Sequence, residues 1–199
     1  MDIGCGAGLV DLLLARELGE ITCVDKSPVP LCFIEREAVA QGLPNVRTLE
    51  ADANTLVGCW DTALMMSFGR VQDNLHHYLS LCRQNLIAVV RANAQGQLGP
   101  AEYHPPKCNC VSTVTDALDA MGVHYTLIED TIEYGQPFAS WEEAGAFVRA
   151  YSKNPPDTSV AAFLDERLQK TNHPDFPLYL PNRKPIGVLV IRRDKNAHI

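Results

Sequence analysis

The 199-residue sequence lacks any apolar run approaching the ~20 residues that a membrane-crossing helix needs, and its start lacks the charged-then-apolar layout of a secretory leader. No membrane partner is expected, and a cytoplasmic location is. Dense basic clusters are missing too. Arg183-Lys184 and Arg192-Arg193 are the strongest, and the formal charge is −7. General attraction to phosphate backbones is therefore absent, and nucleic acid is not the expected substrate. Nor is there a disulfide framework. The seven cysteines (5, 23, 32, 59, 82, 108 and 110) are odd in number and scattered through apolar segments, as reduced, buried thiols would be. His104, Cys108 and Cys110 suggest a metal only superficially, because Cys-x-Cys is not the usual Cys-x2-Cys and no second ligand pair stands at a matching distance. Internal repeats, low-complexity stretches and linkers are all absent, so residues 1–199 read as one domain. What remains is 46% hydrophobic and 21% charged, enough apolar material for a sizeable core.

The chemistry is concentrated at the start. Met1-Asp2-Ile3-Gly4-Cys5-Gly6-Ala7-Gly8 is followed at once by Leu9, Val10, Leu12, Leu13 and Leu14. An acid and three alternate glycines before an apolar helical run describe a strand ending in a tight turn. Glycines allow the positive φ values of such a turn and leave no side chain in a ligand's way, and the N–H groups of the helix's first turn are expected to face that ligand. The dinucleotide fingerprint Gly-x-Gly-x-x-Gly fails, because Leu9 stands where its third glycine belongs. That counts against a nicotinamide-dependent oxidoreductase.

Asp2-Ile3-Gly4-Cys5-Gly6-Ala7-Gly8 resembles the first motif of the class I S-adenosylmethionine-dependent methyltransferases. The resemblance implies an α/β, Rossmann-like, doubly wound seven-stranded sheet whose last strand is antiparallel, with S-adenosylmethionine as cofactor. It places the methionine portion of the cofactor in the turn of Gly4, Cys5, Gly6 and Gly8, with Asp2 helping to hold its amino group. Asp25, with Lys26 and Ser27 behind it, ends a buried strand Ile21–Asp25, and a carboxylate there can accept from both ribose hydroxyls. A helix-cap role for Asp25 or Ser27 is compatible with that. By the same resemblance Asp52 meets the adenine amino group and the Ala53 N–H a ring nitrogen, although Asp52-Ala53-Asn54 can also be a plain turn. Ser67 and Phe68, ending the fourth strand, would lie beside the transferable methyl. Ser67-Phe68-Gly69-Arg70 departs from the Asn-Pro-Pro-Tyr of enzymes that methylate base or glutamine amino groups. Asn154-Pro155-Pro156-Asp157 follows a helix and reads as a loop.

Periodicity predicts helices over 9–18, 31–41, 71–83, 111–121, 141–151 and 159–170. It predicts strands over 21–25, 46–51, 60–68, 86–92, 125–134 and 186–192. Only Met1, Asp2 and Ile3 precede the glycine turn, so the first strand is short where the resembled family has a preceding helix. The expectation is that such a cover lies upstream or has been lost. Residues 135–185 form a helical insertion between the last two strands, expected to act as a lid. His77, His76 and Tyr134 are the candidate bases, but adjacent helical residues diverge by about 100°, so at most one histidine of the pair faces a pocket. The expectation is methyl transfer from S-adenosylmethionine to a small molecule. The alternative is a non-catalytic binding or scaffold domain of the same fold.

Overall fold

The computed structural model describes residues 1–93, 98–103 and 109–193. The expected His104 and Cys108 lie outside them. Five strands run parallel in pairs: β1 (Asp2–Ile3), β2 (Ile21–Asp25), β3 (Val46–Glu50), β4 (Trp60–Met66) and β5 (Cys82–Arg91). They join β6 (Tyr125–Glu133) and a late strand in a seven-stranded sheet. After β6 come β7 (Gln136–Phe138), β8 (Gln169–Lys170), β9 (Leu178–Leu180) and that late strand, β10 (Arg183–Arg192). The sheet order is β3-β2-β1-β4-β5-β10-β6. Two bonds fix the direction of β10: Ala92 N–H to Pro185 O (2.9 Å) and Arg193 N–H to Gln84 O (2.9 Å). Numbers that rise on one strand as they fall on the other make β10 antiparallel to β5, as expected.

The strand order reverses on either side of β1, and ligands of open α/β sheets bind in the crevice beyond such a switch point. Helices α1 (Leu9–Leu14) and α2 (Pro28–Ala40) follow β1 and β2. Leu12, Cys23, Leu31, Ile34 and Ala38 form one buried cluster. Each large side chain in it contributes about 1.5–3 kcal/mol by leaving water. Helix α1 stops short of the expected Leu18, because Arg16 and Glu17 donate to the carbonyls three residues back and tighten the chain into turns. Helix α2 begins earlier than expected, with Pro28 in its first turn, where a missing N–H costs nothing. The expected helix 71–83 is a 3₁₀ turn, Val71–Asn74, then α3 (Leu75–Ser80), and β5 already begins at Cys82.

Beyond β5 come α4 (Val111–Ala120), α5 (Trp141–Tyr151) and α6 (Asp157–Arg167). Ser140 Oγ accepts from Glu143 N–H (3.2 Å), as in a capping box, while Glu143 Oε2 accepts from Ala139 N–H (2.7 Å), one residue before the cap. Within the expected insertion, β7 and β8 pair antiparallel with β9 in a small second sheet. Asn154-Pro155-Pro156 does join two helices. The described chain forms two compact units. Residues within 1–90, 112–128 and 187–193 make the first, and those within 91–111 and 129–186 the second. The second unit has its own core, in which Leu98, Phe138, Val148, Val160, Leu164 and Leu180 are buried. Among the described residues no helix is long and apolar enough to cross a membrane.

Candidate functional site

The glycine turn is held from within. Gly4 and Cys5 donate their N–H groups to Val24 O (2.8 and 3.1 Å), and Gly8 donates to Cys5 O (3.1 Å). Gly6 N–H donates to Asp25 Oδ2 (3.1 Å). The amides of Gly4, Cys5, Gly6 and Gly8 are thus taken up by the protein, because the Val24 carbonyl and the Asp25 carboxylate stand beside the turn. These four precede the first turn of α1, which begins at Leu9.

Each glycine has its own reason. Gly6, at φ +55°, would carry a Cβ that meets nothing within 4 Å, so this part of the turn is an open surface. A Cβ on Gly4 would come within 2.1 Å of Phe68 Cδ2, so the Phe68 ring is packed against this position. One on Gly8 would come within 2.5 Å of Ile34 Cδ1, so Gly8 serves the packing of α1 on α2. Phe68 is carried by a bent corner in which Ser67 sits at φ 55° and Gly69 at φ 52°. Ser67 N–H is tied to Val89 O (2.9 Å). A left-handed non-glycine residue costs on the order of 1 kcal/mol or more, and such strain clusters at ligand sites.

Asp25 Oδ2 accepts from Gly6 and Oδ1 from Ser27 N–H (2.9 Å). One acceptor position remains on each oxygen, which suits a vicinal diol. Asp52 Oδ1 accepts from Asn54 N–H (2.8 Å) and Asn54 Nδ2 (3.2 Å), a side-chain-closed turn. The turn leaves an acceptor and a donor open, since Oδ2 and the Ala53 N–H enter no hydrogen bond among the described residues. Gly4, Asp25, Lys26, Asp52, Ala53 and Phe68 line one cavity of about 200 Å³, together with Asn54. Asp2, Cys5, Gly6, Gly8 and Ser67 do not line it. The volume is below the ~300 Å³ at which complete small-molecule sites begin, and so suits part of a ligand. A larger groove of about 550 Å³ lies against α2 and β3, lined by Val39, Leu43, Pro44 and Val46 among others. Its lining contains none of the candidate site residues, so the smaller cavity is the candidate site.

Asp2 is placed differently from its expected role. Its carboxyl is 2% exposed and faces that of Asp11, which is 1% exposed. Burial first, and then the charge of Asp11, push the Asp2 carboxyl up to about 8, and burial raises Asp11 as well. The two acids face each other beneath the turn instead of opening on the cavity. Asp11 was missed because it sits inside the apolar run of α1; an acid on the inward stripe was the available signal.

His77 also proves different from a free base. Its Nε2 is bonded to Ala53 O (2.8 Å), Tyr78 OH donates to Asn54 Oδ1 (3.3 Å), and Asn74 Nδ2 donates to the same oxygen (3.5 Å). Helix α3 and the turn before it therefore brace the 52–54 corner. His76 is exposed. Tyr134 belongs to the second unit, with Lys184 Nζ 4.7 Å from its ring centre. No group of three or more metal-ligating side chains occurs among the described residues.

Comparison with known proteins agrees with this arrangement. The family described as a methyltransferase domain matches residues 1–94. The ribosomal RNA small subunit methyltransferase G of Polaromonas sp. (strain JS666 / ATCC BAA-500) is 33% identical over 75 residues, which are 37% of this chain and span 33% of that relative's length. Among solved structures, the YcgJ protein of Bacillus subtilis superposes with a TM-score of 0.61 at 16% identity, covering 97% of this chain and 91% of its own. Precorrin 8w decarboxylase of Methanobacterium thermoautotrophicum gives 0.54 at 17%, covering 96% and 78%. These likenesses establish the fold, which hosts more than one chemistry. Over residues 1–94 the chain is therefore similar to the methyltransferase-domain family, and the glycine turn, the acid-tipped β2 and the sheet order accord with that likeness.

Proposed function

We propose that this protein transfers a methyl group from S-adenosylmethionine to a small-molecule acceptor. The observation that carries it is the convergence of Asp25, Asp52, Ala53, Gly4 and Phe68 on one cavity at the β1 switch point. These residues fit the cofactor. The free acceptor positions of Asp25 suit the ribose hydroxyls. Asp52 and the Ala53 N–H offer an acceptor and a donor to an adenine edge, and the open Gly6 surface leaves room for the methionine chain. When bound, the cofactor supplies an already activated methyl group on a sulfonium. The protein's work is then mainly binding and alignment, which accords with the absence of a free base among His76, His77 and Tyr134 at the cavity lining. Phe68 offers an aromatic face to a cation.

A small acceptor accords with the charge of −7 and the scattered basic residues. The relative acting on ribosomal RNA favours a second reading, in which the acceptor is RNA. Calorimetry with S-adenosylmethionine and S-adenosylhomocysteine tests the cofactor site. Transfer of a labelled methyl to a panel of small amines, phenols and carboxylates, run beside small ribosomal subunits, separates the two acceptors. Binding without transfer to any acceptor would favour a non-catalytic domain, and binding of neither compound would refute the cofactor proposal.

A further inference from the structure

The second unit carries a group of polar side chains that nothing above employs. The Ala92–Pro185 bond sets Arg91 opposite Ile186 and Asn93 opposite Lys184 across the antiparallel pair, so Arg91 and Lys184 project on one face of the sheet as diagonal neighbours. Tyr134 N–H donates to Asn182 O (2.7 Å), which adds Tyr134 and Asn182 to the same end of β10. Lys184 Nζ lies 4.7 Å from the centre of the Tyr134 ring, so these two side chains meet. Tyr151, at the end of α5, is within electrostatic reach of Tyr134 and Arg91, and its ring is stacked on Phe147 at 5.1 Å.

This group is incompletely satisfied. Arg91 Nη1 is buried with no hydrogen-bond partner among the described residues, and so are both Nδ2 and Oδ1 of Asn182, a residue 1% exposed. A guanidinium arm and a whole amide left without partners out of water are costly, and in native proteins such groups are generally met by something. Tyr134 and Tyr151 remain 42% exposed each, so the place is reachable from solvent. Two cations and an amide beside two accessible aromatic rings call for a carboxylate or phosphate group attached to a flat body.

We infer that Arg91, Lys184, Asn182, Tyr134 and Tyr151 form a binding site for an aromatic organic anion, with Arg91 taking the charged oxygens. The site lies within the second unit and stands independently of the methyl-transfer proposal. Calorimetry and ligand-observed NMR on the full chain, with benzoate, phenyl phosphate and neutral benzamide as probes, test it. At least one anion binds saturably, and benzamide binds about tenfold more weakly or worse. Benzoate against phenyl phosphate tells carboxylate from phosphate recognition. Arg91→Met reduces anion binding about tenfold, Arg91→Lys recovers part of it, and affinity for S-adenosylhomocysteine is unchanged in both. Benzamide binding as tightly as the anions, no saturable binding of either anion, or full anion binding by a folded Arg91→Met overturns the site. If Arg91→Met does not fold, the comparison of charged and neutral probes on the unaltered protein decides alone. Failure here with intact S-adenosylhomocysteine binding leaves the methyltransferase proposal standing, and the reverse result removes that proposal and leaves this site.

Discussion

Replacing His77 decides whether its imidazole braces the Asp52–Asn54 corner or moves a proton. In His77→Ala the 2.8 Å bond to Ala53 O disappears, and the carbonyl of a residue that is 7% exposed loses its protein partner. Such a loss costs about 1–3 kcal/mol. The flanking Asp52 and Asn54 are exposed, so water can partly replace the ring, and the Tyr78 and Asn74 bonds to Asn54 still tie the corner to α3. The effect therefore belongs at the low end, about 1–1.5 kcal/mol, which corresponds to roughly five- to tenfold in affinity. Calorimetric affinity for S-adenosylhomocysteine should weaken by that factor. KM for S-adenosylmethionine should rise with it, and kcat at saturation should stay within about twofold, as expected when only uniform binding is lost. His77→Gln, whose amide can still donate to the carbonyl, should restore most of the affinity. A general base behaves oppositely: kcat falls by about 10²–10⁴, the pH profile loses a limb, and glutamine does not rescue. Unchanged affinity in His77→Ala, or a loss confined to kcat, would refute the bracing role.

Asp25→Ala should weaken S-adenosylhomocysteine binding by about 1–3 kcal/mol and also lower the unfolding midpoint, because it strips acceptors from the Gly6 and Ser27 amides; a variant with wild-type affinity would remove Asp25 from the site. Gly6→Val should fold, at a cost of roughly 1–2 kcal/mol for its positive φ, yet lose cofactor binding. Gly8→Ala should instead appear chiefly as lost stability, through the 2.5 Å approach to Ile34. Circular dichroism and calorimetry on the two variants check the contrast, which fails if Gly6→Val binds normally. The Asp2–Asp11 pair makes stability depend on pH. A carboxyl raised from its usual 3.8 to about 8 stabilises the fold fully below the lower value and loses that contribution as pH rises through the upper one. Chemical denaturation of wild type and Asp11→Asn between pH 5 and 9 should therefore show the wild type losing stability relative to the variant as pH rises. Parallel profiles would contradict the coupling of the two carboxyls.

The apolar runs of β2, β4 and β5 and the glycine turn were readable because a buried parallel strand must be apolar throughout and a tight turn must contain glycine. Asp25 was readable for a related reason: an acid ending such a strand has few places to point. Helix ends were less legible. Pro28 marks the start of α2 three residues ahead of the expected Leu31, and the weakening of α1 after Leu14 depends on turn bonds that periodicity does not encode. The pairing of Asp2 with Asp11, the bond from His77 to Ala53, and the placing of Arg91 and Lys184 on one sheet face join residues distant in the chain. They follow from sheet order and helix placement, which no local pattern carries. The small sheet of β7, β8 and β9 escaped notice because its strands are only two or three residues long.

The packing of Phe68 against Gly4 has an evolutionary corollary. Any methyl group introduced at position 4 would overlap the ring by more than an ångström, given the 2.1 Å separation. The two positions are therefore free to drift only together: a lineage that enlarges the first must shrink or swing away the second. In an alignment of natural variants they should behave as one coupled character, with a bulky aromatic found only opposite a bare backbone.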